Sequence, residues 1–398
     1  MNDFSPLNIP DKLRSSLNRI NIKKMTPIQS RSIPVALEGK DIFGCSQTGT
    51  GKTIAFLIPV MAKILRCTTD QALILTPTRE LAKQIEDVVK KLSHDINNRI
   101  STLLIGGMPI FKQVKRLKTS DRIVIGTPGR VLDHLKRKSL ILEKLSLLVI
   151  DESDRMLDMG FSEQLNYILK HLPNKRQTLM FSATFSPQII NLSKKYLSNP
   201  ANITVGAPNK PIDKIKQETI YTKFDNKYST LLKQIDNREG SIIIFVNTKV
   251  EAEKLSKKLL KDHCSIGTLH GDVVYRKRER VMSNFRAKKI RIMVATDIAS
   301  RGLDISHISH VINYDFPTSK EDYIHRIGRT GRADSDGQAL NLILPSEVKK
   351  WKSAEKWLSS TQHSSKSTNN KYKDNKYKTN KFKTNRRPSS NKTYKRKK

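Results

Sequence analysis

Leu147-Leu148-Val149-Ile150-Asp151-Glu152 decides the fold: four apolar residues in a row, then two carboxylates. An apolar run without alternation reads as a strand buried on both faces, the condition of a parallel sheet covered by helices. Two acids at its carboxyl end stand where open α/β sheets bind ligands. Far upstream, Ser46-Gln47-Thr48-Gly49-Thr50-Gly51-Lys52-Thr53 follows a strand-like stretch at 41–44 and opens a helix. Its glycines let backbone N–H groups approach phosphates. Lys52 can reach the outer phosphates, and the Thr53 hydroxyl can ligate Mg²⁺. Ser46 stands where the generic phosphate-loop pattern has glycine. Asp151 suits Mg²⁺ coordination through water, and Glu152 suits orienting or deprotonating an attacking water. Taken singly, these are a Gly-rich turn and a pair of solvated strand-end acids. At this spacing the nucleotide reading prevails.

Working outward, apolar runs recur at 72–75, 103–105, 123–125 and 178–181, with helix-compatible stretches such as Arg79–Leu92 between them. The alternation repeats at 242–246, 290–295, 311–314 and 340–344. Strands alternating with helices read as βαβ units, so the expectation is α/β: two tandem doubly wound parallel-sheet domains. Their expected bounds are 1–206 and 212–350. The linker is expected at 207–211, Ala207-Pro208-Asn209-Lys210-Pro211, and a disordered basic tail at 351–398.

At 398 residues the chain suits two domains with some sequence left over. Its 74 Lys and Arg against 37 Asp and Glu give a net charge of +37. That charge repels itself in a compact state, so a polyanionic partner is expected, with nucleic acid ahead of an anionic membrane surface. No apolar run is long enough to span a bilayer. The start, Met1-Asn2-Asp3-Phe4-Ser5-Pro6, has neither a basic leader nor an apolar stretch, so no secretion signal is expected. Cys45, Cys67 and Cys264 have no metal-ligand spacing and read as reduced cysteines of a cytoplasmic protein.

The full set of motifs resembles the DEAD-box RNA helicases of superfamily 2. Met25-Thr26-Pro27-Ile28-Gln29 resembles the Q motif, with Phe4 as its upstream aromatic; residues 46–53 resemble motif I. Pro77-Thr78-Arg79 opens motif Ia, Gly106-Gly107 is the GG motif, and Thr127-Pro128-Gly129-Arg130 is motif Ib. Asp151-Glu152-Ser153-Asp154 takes the place of the box, and Ser182-Ala183-Thr184 that of motif III. Motif IV is matched at 244–248, motif V at 295–304 and motif VI at 325–332.

The resemblance implies RecA-like domains, ATP and Mg²⁺ as cofactors, and RNA, single-stranded or in short duplexes, as partner. Ribosomal precursors and mRNA-decay assemblies are both compatible partners, and no membrane is implied. Gln29 would read adenine, Ser46 to Thr53 would cradle the phosphates, and Asp304 would meet the ribose. Lys52, Asp151 and Glu152 keep the roles argued above, and Arg329 and Arg332 would be arginine fingers from the second domain. Asp154, Ser182, Thr184, His325 and Arg326 would couple nucleotide state to closure. Pro77, Thr78, Arg79, Gly106, Gly107, Thr127, Pro128, Gly129, Arg130, Thr248, Thr296, Arg301 and Gly302 would line the RNA face. The activity implied is local, sequence-tolerant strand separation. Asp158-Met159-Gly160-Phe161 and the short basic tail look most like the bacterial RhlE-type branch.

Four positions depart from the family pattern. Ser153 replaces Ala, with a mild effect expected. Ile22 replaces an aromatic, weakening adenine stacking. Ser300 replaces Ala. Tyr275 stands where relatives have Gln, and either stacks on a base or packs. In the tail, Tyr372, Tyr377, Phe382 and Tyr394 interleave with Lys and Arg. That pattern fits an RNA tether, against the plainer reading of a solubilising extension.

Overall fold

The computed structural model describes residues 3–46, 49–94, 100–119, 122–206, 215–262, 265–300, 305, 307–331 and 337–363. The first sheet holds β1 (Ile42–Ser46), β2 (Gln71–Leu75), β3 (Ser101–Leu104), β4 (Ile123–Gly126), β5 (Leu145–Ile150), β6 (Gln177–Ser182) and β7 (Ala201–Val205). They run in the order β3-β4-β2-β5-β6-β1-β7, parallel throughout. The apolar run of β5 explains the architecture. Leu147 and Val149 enter one core cluster, while Leu148 and Ile150 enter another on the opposite face. Side chains alternate across a strand, so four apolar residues in succession feed two helical layers at once. Burying each contributes about 1.5–3 kcal/mol, and a carboxylate placed at Val149 would forfeit that and strand a charge.

The second sheet holds β8 (Ile215–Tyr221), β9 (Ser241–Val246), β10 (Ile266–Leu269), β11 (Ile292–Thr296), β12 (Ile308–Asn313) and β13 (Gly337–Ile343). Its order is β10-β11-β9-β12-β13-β8, again parallel. Ile243 and Phe245 of β9 face one core, and Ile242, Ile244 and Val246 the other. The fold is therefore the expected pair of parallel-sheet α/β domains.

Two differences from the sequence reading stand out. β7, β8 and β10 were not read as strands. The stretch from 351 was read as structureless, but a helix runs from Val348 to His363, with Trp351 and Ala354 buried in the second domain's core. Packing of Val348, Trp351 and Ala354 at helical spacing outweighs the Lys-rich composition around them. The linker at 207–211 and the tail from 364 lie outside the described residues.

The domains touch through side chains. Arg278 Nε donates to Glu80 Oε1 at 2.6 Å, with both side chains largely buried. Tyr275 packs against the first domain's core, beside Gly107, and its hydroxyl donates to Glu279 Oε1 at 2.6 Å. Of the two roles open for Tyr275, the structure shows packing.

Candidate active site and nucleic-acid interface

β6 lies between β1 and β5, so the carboxyl ends bearing Ser46, Ser182 and Asp151 emerge side by side. Beyond β1, the loop turns through Gly49 at φ 81° and Gly51 at φ 94° into the helix Lys52–Arg66. A Cβ at Gly51 would collide with the Gln29 amide, so only glycine fits there. Lys52 is buried and donates to Ser46 O at 2.6 Å. The Ser46 and Thr50 hydroxyls meet at 2.9 Å. Gln29 donates to Gly51 O at 3.0 Å and accepts from Thr26 N at 2.9 Å, tying the segment before it to the phosphate-loop turn. Phe4 is buried in the core, and Ile22 packs against the same cluster.

Asp151 is 3% exposed. Burial, reinforced by the neighbouring Glu152, pushes its carboxyl up to about 7, and the Lys52 ammonium pulls the other way. A carboxylate this buried is stabilised by a cation. Asp151 with the Thr53 hydroxyl fits Mg²⁺, which takes one or two protein ligands and fills its shell with phosphate oxygens and water. No cluster of three or more metal-ligating side chains exists among the described residues.

Glu152 adopts the left-handed conformation, φ 49° and ψ 50°, at the sharp turn from β5 into the helix Ser153–Asp158. Strain of this kind persists only where the surroundings enforce it. Its Oε2 lies 3.3 Å from Nε of Arg155, whose side chain is fully buried. The Ser153 hydroxyl, the departure from Ala, donates to Phe181 O at 3.1 Å and links the box to β6. Asp154 Oδ2 accepts from Ala183 N at 3.0 Å and Thr184 Oγ1 at 3.2 Å. Ser182 Oγ in turn donates to Thr184 O at 2.9 Å.

Asp154 and Thr184 line an interdomain cavity of about 950 Å³ with Asn247, Thr296, Asp297 and His325 from the second domain. Arg326, expected to take part in interdomain coupling, is held by second-domain partners. It is 1% exposed inside the second domain, bidentate to Asp297 at 2.7 Å and bonded to Asn247 Oδ1 at 2.8 Å. A buried cation is held where its partners are, so Arg326 supports the cavity wall from behind. Arg329 is buried, and its Nε donates to His325 O at 3.1 Å.

A second interdomain cavity, of about 340 Å³, gathers much of the proposed RNA face. Pro77, Thr78, Arg79, Gly106, Thr127, Gly129 and Arg130 line it from the first domain, and Gly271 and Arg278 from the second. Thr78 and Thr127 are the N-caps of two helices, whose N-termini favour anions. Gly107 lies beside Arg79 at the same loop, and Pro128 is the first residue of the Thr127-capped helix. Thr248 is not brought there: it caps the helix Lys249–Asp262, accepting from Glu251 N at 3.2 Å. Thr296 lines the other cavity instead. Gln47, Thr48, Arg301, Gly302, Asp304 and Arg332 lie outside the described residues. Arg155, Gln113 and His134 were not singled out from the sequence, where nothing but a polar residue among apolar neighbours marks them.

This geometry defines a class: a two-domain nucleotide-site protein with a cation-lined cleft between its domains. The chain belongs to the DEAD/DEAH box helicases, whose model matches residues 26–192, while the helicase conserved C-terminal domain matches 226–334. ATP-dependent RNA helicase CshA of Listeria monocytogenes is 42% identical over 351 residues, 87% of this chain and 67% of that protein. Among solved structures, S. cerevisiae Dbp5 bound to RNA and ADP BeF3 is 30% identical with a TM-score of 0.80, covering 90% of this chain and 94% of that one. A DEAD box protein from Methanococcus jannaschii is 36% identical, yet its TM-score is 0.52 at 90% and 98% coverage. No helix among the described residues is long and apolar enough to cross a membrane.

Proposed function

We propose that this chain is an ATP-dependent RNA helicase that opens short duplexes and remodels RNA–protein complexes locally, without strong sequence preference, in the cytoplasm. The observation that carries the reading is the single cavity lined by Thr78, Arg79, Gly106, Thr127 and Arg130 from one domain and Gly271 and Arg278 from the other. Backbone and 2′-OH contacts in such a cleft favour RNA without reading bases.

In the mechanism we infer, the loop at 46–51 and Lys52 hold the phosphates, Gln29 the adenine and Asp304 the ribose. Thr53 and Asp151 would hold Mg²⁺, which would neutralise phosphate charge. The Glu152 carboxylate takes a proton from the attacking water as its oxygen bonds the γ-phosphorus and the bond to the bridging oxygen breaks. Arg329 and Arg332 stabilise the charge spread over the transferring oxygens. Because these groups come from both domains, hydrolysis waits for closure. Asp154, Thr184 and His325 meet at the joint and report the nucleotide state, with Ser182 and Arg326 holding them.

The working domains are 1–206 and 212–350, with the second extended to His363. The tail beyond acts as an RNA tether. For the branch, the CshA name of the bacterial relative outweighs the RhlE-type pattern of residues 158–161. Ribosomal precursors and mRNA-decay assemblies are the substrates to test first. The deciding assay offers short RNA and DNA duplexes with ATP or ADP. ATP-dependent opening of RNA alone is the expected result, and equal opening with ADP would refute the reading.

A further inference from the structure

The loops bearing Gly106-Gly107 and Thr127-Arg130 are tied together behind the cleft. Gln113, fully buried on the helix Ile110–Leu117, donates through Nε2 to Ile105 O at 3.1 Å and Met108 O at 3.3 Å. Those carbonyls bracket the glycine pair. Gln113 Oε1 meets Nε2 of His134 at 3.3 Å, and His134 is fully buried on the helix Pro128–Lys136 that Thr127 caps. His134 Nδ1 meets Ser139 Oγ at 2.9 Å. The Gln113 amide nitrogen is taken up by two carbonyls, so its oxygen accepts and His134 Nε2 donates. The Ser139 hydroxyl also lies 3.1 Å from His134 O, and its one proton can go to that carbonyl or to Nδ1, the latter in the neutral ring. Burial, with Arg130 beside it, holds His134 below the usual histidine range, in keeping with this neutral form. Arg130 Nη1 adds a front tie to Met108 O at 3.1 Å.

We propose that Gln113 and His134 are positioning residues for the RNA strand, locking the glycine-pair loop and the Thr127-capped helix into one rigid jaw. This rests on the RNA-face reading of Gly106, Gly107, Thr127 and Arg130. A buried polar network that is fully satisfied holds one geometry. Two phosphate-binding elements held at fixed separation bind a backbone without the cost of ordering them first. The plainer possibility is that Gln113 merely satisfies loop carbonyls and matters for stability alone.

RNA-stimulated ATPase of the full chain separates the two, read as the RNA concentration for half-maximal activity beside the KM for ATP. For Gln113→Leu the half-maximal RNA concentration rises about tenfold while KM for ATP stays within about twofold. His134→Leu raises it about threefold, and His134→Gln, which keeps a donor and an acceptor, restores it. A cooperatively melting Gln113→Leu whose RNA requirement stays within about twofold of the parent overturns the proposal. If Gln113→Leu does not fold, equal RNA requirements in His134→Leu and His134→Gln overturn it. Arg130→Ala tests the underlying reading separately: an unmoved RNA requirement there means the RNA face is misassigned, whatever Gln113 does.

Discussion

The two ligand-facing sides of the first domain are held in opposite ways. On the side proposed for RNA, Gln113 and His134 fix the loops from behind, through bonds an incoming strand has no need to break, and Arg130 ties Met108 O from the front. On the nucleotide side, Lys52 bonds Ser46 O and Gln29 bonds Gly51 O, within the loop that has to wrap phosphate. In the proposed mechanism Lys52 exchanges that bond for a phosphate oxygen. The difference teaches where the motor's movement lies. A preformed surface gives affinity, and a surface that exchanges contacts gives a change of state. The domain-bridging Glu80–Arg278 pair starts from the RNA side, since Glu80 directly follows Arg79.

Removing a proposed arginine finger should break the comparison most strongly. Arg329→Ala lowers RNA-stimulated turnover by about 10³- to 10⁵-fold. Fluorescence anisotropy without nucleotide should find its RNA affinity within about twofold of the parent, because the preformed side is intact. Glu80→Ala comes next and sharpens the link between the sides. Losing one partner of a largely buried ion pair weakens closure, so steady-state kinetics should show KM for ATP and the RNA requirement rising together, each about tenfold. A rise in the RNA value alone would place Glu80 on the RNA surface and take it out of closure. Ser153→Ala has the smallest effect. It removes one hydroxyl bond to Phe181 O, worth about 1 kcal/mol. Calorimetry should record a Tm lower by about 2–4 °C, with turnover within about threefold of the parent.

Much of this was legible because buried strands and phosphate loops write themselves in residue type. β5 and β9 are apolar on both faces, and the glycines of 46–53 stand beside Lys52 and Thr53 in a phosphate-loop pattern. The strands not read from the sequence are all edges: β7 closes the first sheet, and β8 and β10 the second. An edge strand meets solvent, and Ile215-Lys216-Gln217-Glu218-Thr219-Ile220-Tyr221 has the polar composition that follows. The helix to His363 did carry a signal, Val348, Trp351 and Ala354 at helical spacing, masked by its lysines. Arg155, Gln113 and His134 carried none. A buried polar residue is recognised by its partners, and those come from distant parts of the chain. Arg326 shows the converse: its motif was plain, but its bonds to Asp297 and Asn247 were not.

The proposal is an RNA-stimulated ATPase whose hydrolysis waits for closure of the two domains. Phosphate release with single-stranded RNA, single-stranded DNA or no nucleic acid, for the parent chain and Glu152→Gln, tests it most directly. The account predicts release that depends on RNA, is weak with DNA, and is lost in Glu152→Gln. Release at the same rate without RNA would contradict it.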